Sequence, residues 1–338
     1  MIKIIISSFF IFFMRVKSYL VRTGTTSQGK SLIICRGGVG DVIITVRVLL
    51  NANLSEFDLL TNKPSGVWVQ ETYGRVFNKI FITKEEFLSE SRCYDTIHLI
   101  RSDIESLKMM LALKISFRST VINEHYDSLR LYERTKILLF PKVKRNYYSN
   151  FHATDLYSTV LRMPQYKSNA IRIKKDNVAR KIGIHAGASN IVRAISLQAI
   201  IEVITSHPEY IFYLFGSKSE VIQYPKDMLP SGNVRYLIGE ASFSDIALIM
   251  NELDLMVCTD SMFLHYADFM QIPTVAVMGP GPIKMWGPLY IGSKVVTRDP
   301  PCSPCSRVEC DRYHGRSCVG DVRGEELSQA MLEVLEKN

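Results

Sequence analysis

The sequence predicts an α/β protein of two domains, each built on a parallel sheet. Three observations support the prediction. Short apolar runs of strand length alternate with stretches of helical length along most of the chain. That rhythm breaks around "FPKVKRNYYSN" (140–150) and restarts at "KIGIHAG". With 338 residues, 47% hydrophobic and 22% charged, the chain has apolar mass enough for two cores.

The elements follow in order. Residues 1–30 form a leader: Ile4 to Met14 is almost wholly apolar, and Arg15, Lys17 and Arg22 come after it. A bilayer span needs about 20 apolar residues, so this run is too short. It has the length of a signal-peptide core, but no clear small-residue cleavage site follows. Two readings stay open: an interfacial anchor, or a start at Met14 that leaves 1–13 untranslated. A cytoplasmic protein touching the membrane face is expected.

In the first domain (31–150), Leu32 to Cys35 reads as a strand and Asp41 to Asn51 as a helix. "FDLLT", "NKIFI", "YDTIHLI" and "STVIN" read as further strands. Near-continuous apolar strands imply a parallel sheet buried on both faces. A linker is expected over 151–177. In the second domain (178–300), "KIGIHAG", "YIFYLFG", "VRYLIG", "DLMVC" and "PTVAVMG" read as strands. Leu197 to Ser206, Ser217 to Met228, Ser242 to Leu253 and Ser261 to Met270 suit helices. Several strands end in glycine or a polar residue at the carboxyl side, where open α/β sheets bind ligands. A Cys-rich segment and a terminal helix fill 301–338.

The net charge of +8 favours anionic partners. Residues 101–150 hold ten Lys/Arg against five Asp/Glu. Arg130, Arg134, Lys136, Lys142, Lys144 and Arg145 would suit an acidic glycolipid or a membrane surface, or form a solvated face. No zinc-finger helix, RNA-binding aromatic signature or basic zipper occurs, so nucleic acid is not the expected partner.

"ICRGGVGDVIIT" resembles a phosphate cradle, since a helix start offers N–H groups and partial positive charge. A dinucleotide fingerprint would need a third glycine where Ile43 stands. Asp41 also opposes a diphosphate. Two like charges ~4 Å apart at an effective dielectric of 20 repel by about 4 kcal/mol. An exposed helix terminus returns only about 0.3–1 kcal/mol. The turn suits a hydroxyl that must lose a proton, with Gly38 and Gly40 permitting close approach and Asp41 as base. Asp41 as a plain helix-start carboxylate is the competing reading.

In "CTDSMFLHYADFMQIPTVAVMGP", Asp260 or Ser261 reads as an N-cap after a strand. The N–H groups of Ser261 and Met262 can take a diphosphate, and His265 lies one turn on. His265 as a packed core residue competes. In "IHAGASNIVRAIS", Ser189 and Arg193 can meet phosphate oxygens. In "LFGSKSE", Gly216 ends a strand, and Glu220 can accept from sugar hydroxyls or simply cap. Cys302, Cys305, Cys310 and Cys318, four of seven cysteines, form C-x2-C-x4-C-x7-C. In a reducing compartment this reads as a structural tetrathiolate site for zinc or iron; in an oxidising one, as two disulfides. Four free thiols, or His314 replacing one ligand, are the alternatives.

Together and in order, "RGGVGDVIIT", "HAGAS" with Arg193, "LFGSKSE", "DLMVCTDSMFLH", "PTVAVMGP", "WGP" and the cysteines resemble glycosyltransferase family 9 over about residues 31–335. Its best-known members are the ADP-heptose:lipopolysaccharide heptosyltransferases. The resemblance implies a GT-B fold of two facing Rossmann-like domains with a cleft between them. It implies inverting transfer without a catalytic metal, to a glycolipid such as the lipopolysaccharide inner core. The family's base falls on Asp41, and its donor-binding positions on Ser189, Arg193, Glu220, Asp260, Ser261 and His265. Met262 stands where the family has glycine, and Ile195 where it has tryptophan. A nucleotide-sugar epimerase and a non-catalytic binding module are the rival classes.

Overall fold

Strands that are apolar along their whole length can only pack between two layers, and the chain builds two sheets of this kind. The computed structural model describes residues 30–53, 56–89, 93–101, 116–122, 151–165, 179–188, 190–279, 281–298, 300–303, 309–310 and 317–338. The chain divides into two units, Met1–Tyr166 and Lys167–Asn338. The leader to residue 29 and the basic stretch 130–145 lie outside the described residues.

In the first unit, β1 (Ser31–Cys35), β2 (Phe57–Leu60), β3 (Phe77–Phe81), β4 (Cys93–Arg101) and β5 (Ser116–Ile122) pair in parallel in the order β3-β2-β1-β4-β5. The helices are α1 (Val39–Asn51), α2 (Lys63–Thr72), α3 (Lys84–Ser89) and α4 (Ala153–Leu161). The chain leaves the central β1 on one side and returns to its other side for β4. The turn after β1 therefore lies at the point where the strand order reverses, the usual ligand position of such sheets. Residues 41–49 of α1 are all buried, so this helix is interior.

Helix α4 corrects the expected linker at its front. It begins at Ala153 and packs on α1 and β4. Its N-cap is His152, whose Nδ1 accepts from the Thr154 N–H at 3.1 Å, and Arg162 ends it with φ 58°. The buried His98 of β4 bonds the Val160 carbonyl at 2.8 Å. Burial lowers the His98 pKa, against the opposing pull of that bond.

In the second unit, β6 (Lys181–His185), β7 (Ile211–Leu214), β8 (Val234–Tyr236), β9 (Leu255–Thr259), β10 (Thr274–Met278) and β11 (Lys294–Thr297) run in parallel in the order β11-β10-β9-β6-β7-β8. Its helices are α5 (Leu197–Ser206), α6 (Phe243–Glu252), α7 (Met262–Phe269), α8 (Ile283–Trp286) and α9 (Gly324–Lys337). Strands β9 and β10 are buried at every position, as their apolar runs require. The order reverses between β6 and β9. The helix expected over Ser217–Met228 is replaced by two short 3-10 turns, Lys218–Glu220 and Lys226–Met228. Pro225, which has no N–H to donate, separates them.

Among the described residues no helix is long and apolar enough to cross a membrane. The terminal segment belongs to the second unit. Arg298, just past β11, donates to Asp321 Oδ2 at 3.0 Å and to both Glu326 oxygens at 2.7 Å, tying the start of α9 to the sheet. The Arg298 hydrogen bond holds the Glu326 carboxyl at about 2, against the upward push of burial. Because the folded value is depressed, this stabilisation is complete above the ordinary value of 4.5 and is lost as pH falls toward about 2. Arg298→Met should cost about 1–3 kcal/mol near neutrality. In urea unfolding, the gap between the two proteins should close across that acid window; a constant gap would show that Glu326 does not supply it.

Candidate active site

The turn after β1 is pinned from the end of β2. Thr61 Oγ1 donates to the Cys35 carbonyl at 2.7 Å and Asn62 Nδ2 to the Gly37 carbonyl at 2.5 Å. The Asn62 side-chain oxygen also caps α2 through the Ser65 N–H at 3.2 Å. Gly38 is the N-cap of α1, with φ −71°, and Gly40 lies within the helix's first turn. A Cβ at Gly38 would meet only Asp41 Oδ2, at 3.9 Å, so the local fold itself does not require glycine there.

Asp41 occupies the third helical position and is 6% exposed. Its Oδ2 accepts from the Gly38 N–H at 2.8 Å, and its Oδ1 accepts from the Tyr157 hydroxyl of α4. The carboxylate is thus a cap whose orientation is fixed from two sides.

The second constellation gathers at the reversal point of the other sheet. His185 ends β6 beside Cys258 of β9. Its Nε2 lies 3.4 Å from Glu220 Oε1, and its Nδ1 lies 3.0 Å from Ser261 Oγ. Its ring stacks on Phe263 at 4.5 Å, and Phe263 stacks on Phe215 at 5.1 Å. Glu220 Oε2 accepts from the Ser217 N–H at 2.5 Å and the Ser217 hydroxyl at 2.8 Å. Burial would raise the Glu220 pKa, but the hydrogen bond and charge of His185 and the Ser217 donors hold it at about 2. Arg193 Nη1 lies 3.7 Å from Asp260 Oδ2. Ser261 is the N-cap of α7 and makes no side-chain capping bond, because its hydroxyl is engaged by His185.

A family model, Glycosyltransferase family 9 (heptosyltransferase), matches residues 92–314, most of the chain. The chain belongs to this family. It is therefore a glycosyltransferase, and its two parallel-sheet units are those of the GT-B class. No curated protein matches the chain by sequence. Among solved structures, it is similar in fold to E. coli ADP-heptose lps heptosyltransferase II, with 15% identity, a TM-score of 0.63, and coverage of 91% of this chain and 99% of that one. It is similar to E. coli heptosyltransferase WaaC with ADP, at 13% identity, TM-score 0.65, 90% and 99%. It is also similar to the iron-containing dodecameric glycosyltransferase TibC from enterotoxigenic E. coli, at 9%, 0.55, 93% and 78%.

Within this family 9 chain, the structure brings together Glu220, Asp260, Ser261, Met262 and Arg193 at one sheet edge. Gly216 lies two residues past β7, where a Cβ would come within 3.2 Å of Glu220 Oε2. His265 is buried and meets Trp286 edge-on at 5.8 Å. Ile195, at the family's tryptophan position, is a core residue. Ser189 and Cys305 lie outside the described residues. Cys318 is buried, while Cys302 and Cys310 are half-buried. Sequence reasoning left two residues out of the site: Tyr157, and His185, although the latter stands in the "IHAGAS" stretch.

Gly187 has no room for a side chain: a Cβ there would collide with Glu220 Oε1. Gly187→Ala should cost about 1–3 kcal/mol by overpacking. Combined with Glu220→Ala, the two losses should be less than additive in chemical denaturation, since the second change vacates the contested space. Strict additivity would disprove the collision.

Proposed function

We propose that this family 9 enzyme transfers a heptose from ADP-heptose, with inversion, to a glycolipid of the lipopolysaccharide inner-core type, with Asp41 as general base. The observation that supports it best is the different furnishing of two strand-order reversals. One presents Asp41 oriented by Gly38 and Tyr157, while the other presents Arg193, paired with Asp260, beside a helix start whose N-cap side chain does not cap it. The structural neighbours include an ADP-heptose heptosyltransferase and a heptosyltransferase solved with ADP, which favours the same donor.

In this scheme the acceptor oxygen attacks the anomeric carbon as the bond to the diphosphate breaks. The acceptor's proton passes to Asp41, which Gly38 and Tyr157 hold in one orientation. Positive charge grows on the sugar and negative charge on the departing nucleotide. Arg193, Ser189 and the first N–H groups of α7 would stabilise the leaving diphosphate, where fixed dipoles give their largest rate effect. Glu220 would accept from hydroxyls of the donor, and Asp260 holds Arg193. No catalytic metal is invoked. Such an acceptor would draw the protein to the cytoplasmic face of the inner membrane, reached by its leader and basic stretch. Asp41→Asn should reduce acceptor-dependent ADP release by about 10²–10⁴-fold while leaving ADP-heptose binding unchanged. Near-normal turnover would remove Asp41 from the chemistry, and ADP release without any glycolipid requirement would remove the acceptor class.

The four cysteines would hold a structural zinc or iron. Thiolates are the soft ligands such a site needs. Two observations fit the reading. Both flanks of the segment converge on Gly279 at the end of β10: Ser303 Oγ donates to the Gly279 carbonyl at 3.3 Å, and Cys318 Sγ would lie 3.1 Å from a Cβ there. TibC, similar in fold, is an iron-containing glycosyltransferase. Elemental analysis of the reduced protein should find about one zinc or iron per chain, lost together with thermal stability in Cys318→Ser; metal-free, equally stable protein would refute it.

A further inference from the structure

His185 touches both ends of the constellation in the second unit, Glu220 at one ring nitrogen and Ser261 at the other. We propose that His185 is a positioning residue that couples nucleotide-sugar binding to the uptake of one proton. The inference rests on the donor-site reading above.

The direction of each bond follows from which groups can donate. Glu220, whose Oε2 accepts from both the Ser217 N–H and the Ser217 hydroxyl, is an anion in the neutral range and can only accept. The hydrogen therefore sits on Nε2 in either state of the ring. In the neutral ring Nδ1 is bare, and the Ser261 hydroxyl must donate to it across 3.0 Å. Ser261 then presents only lone pairs to anything lying against the start of α7. When the ring gains a proton, Nδ1 becomes the donor and Ser261 Oγ the acceptor. The serine hydrogen is released and can turn to a phosphate oxygen, which itself can only accept. The protonated ring also adds a unit of positive charge where the diphosphate would rest.

A consequence of the same contact, at the helix itself, points the same way. A serine at an N-cap ordinarily turns its oxygen back to the second or third N–H of its own helix. Ser196 does so at α5 and Ser242 at α6, at 3.2 and 3.1 Å. Ser261 does not, so the first turn of α7 lacks the side-chain cap that would compete with an anion. The stack on Phe263 and the seat of Glu220 against Gly187 confine the ring to this one pose.

Charged and titratable groups on the elements packed around His185 set its response. Glu220 Oε1 faces Nε2 of the ring at 3.4 Å. Asp260, at the end of β9, is paired with Arg193. Burial pushes the Cys258 thiol up, so it stays uncharged. His265 packs on Trp286, and Asp268 accepts from the Leu289 and Tyr290 N–H groups at 2.8 and 2.6 Å. Because the bound state prefers the protonated ring, affinity is full at low pH and falls as pH rises through the imidazole range, about pH 5–8.

The test is calorimetric titration of the full chain with ADP-heptose, a diphosphate diester that does not itself titrate near neutrality, in buffers of differing ionisation enthalpy. Binding should take up a proton, approaching one per site above the imidazole range. Affinity should fall by up to about tenfold per pH unit there. His185→Asn should abolish the uptake and flatten the pH profile, and Ser261→Ala should weaken both. A purely structural histidine would instead weaken binding by a constant factor at every pH. Binding by the unaltered protein without proton uptake, or uptake that survives His185→Asn, overturns the inference and leaves the donor site standing. Absence of ADP-heptose binding at any pH overturns the donor reading itself, and this inference with it.

Discussion

Glu220 fills the space that a side chain at residue 187 would need, and the second unit's functional edge is organised by that exclusion. The carboxylate is buried, so it must be fully satisfied. Ser217 satisfies one oxygen and His185 the other, and His185 in turn occupies the hydroxyl of Ser261. Phe263 closes over the ring. Four chain segments (the end of β6, the turn after β7, the end of β9 and the start of α7) are thereby held to one carboxylate. A core made only of apolar contacts could slide by fractions of an ångström. A hydrogen-bonded charge in a slot without slack cannot.

The two units use one topology for opposite ends. In each, the first strand is central, and the loop after it lies where the strand order reverses. In the first unit that loop presents an acid tied by Gly38 and Tyr157. In the second it follows His185, whose ring meets Ser261 beyond the end of β9, and carries Gly187 and Arg193. Fold class alone says that something binds at such points. The kind of group placed there decides what the chemistry can be.

Much of this was legible in the residues. The buried strands announced themselves by unbroken apolar runs, and α1, α5, α6 and α7 by their caps and spacing. Helix α4 was obscured because a histidine caps it, and because it follows a basic, turn-rich stretch that reads as a boundary. The span 217–228 has helical length, yet Pro225 divides it and the capping pair Ser217–Glu220 serves only a single tight turn. The site was legible in membership and illegible in wiring. Asp41, Glu220 and Ser261 were nameable, but Tyr157 comes from a stretch read as linker, and His185 reads as the end of a core strand. Contacts across 116 residues and 76 residues leave no local pattern.

The tie between Tyr157 and Asp41 has a consequence for how the protein is made. The acid lies near the start of the first sheet, while its partner belongs to a helix that closes only at Leu161. On a ribosome, the five strands of that sheet emerge before the helix does. The acidic turn is therefore finished last, and a chain truncated ahead of residue 153 would carry the acid without the hydroxyl that orients it.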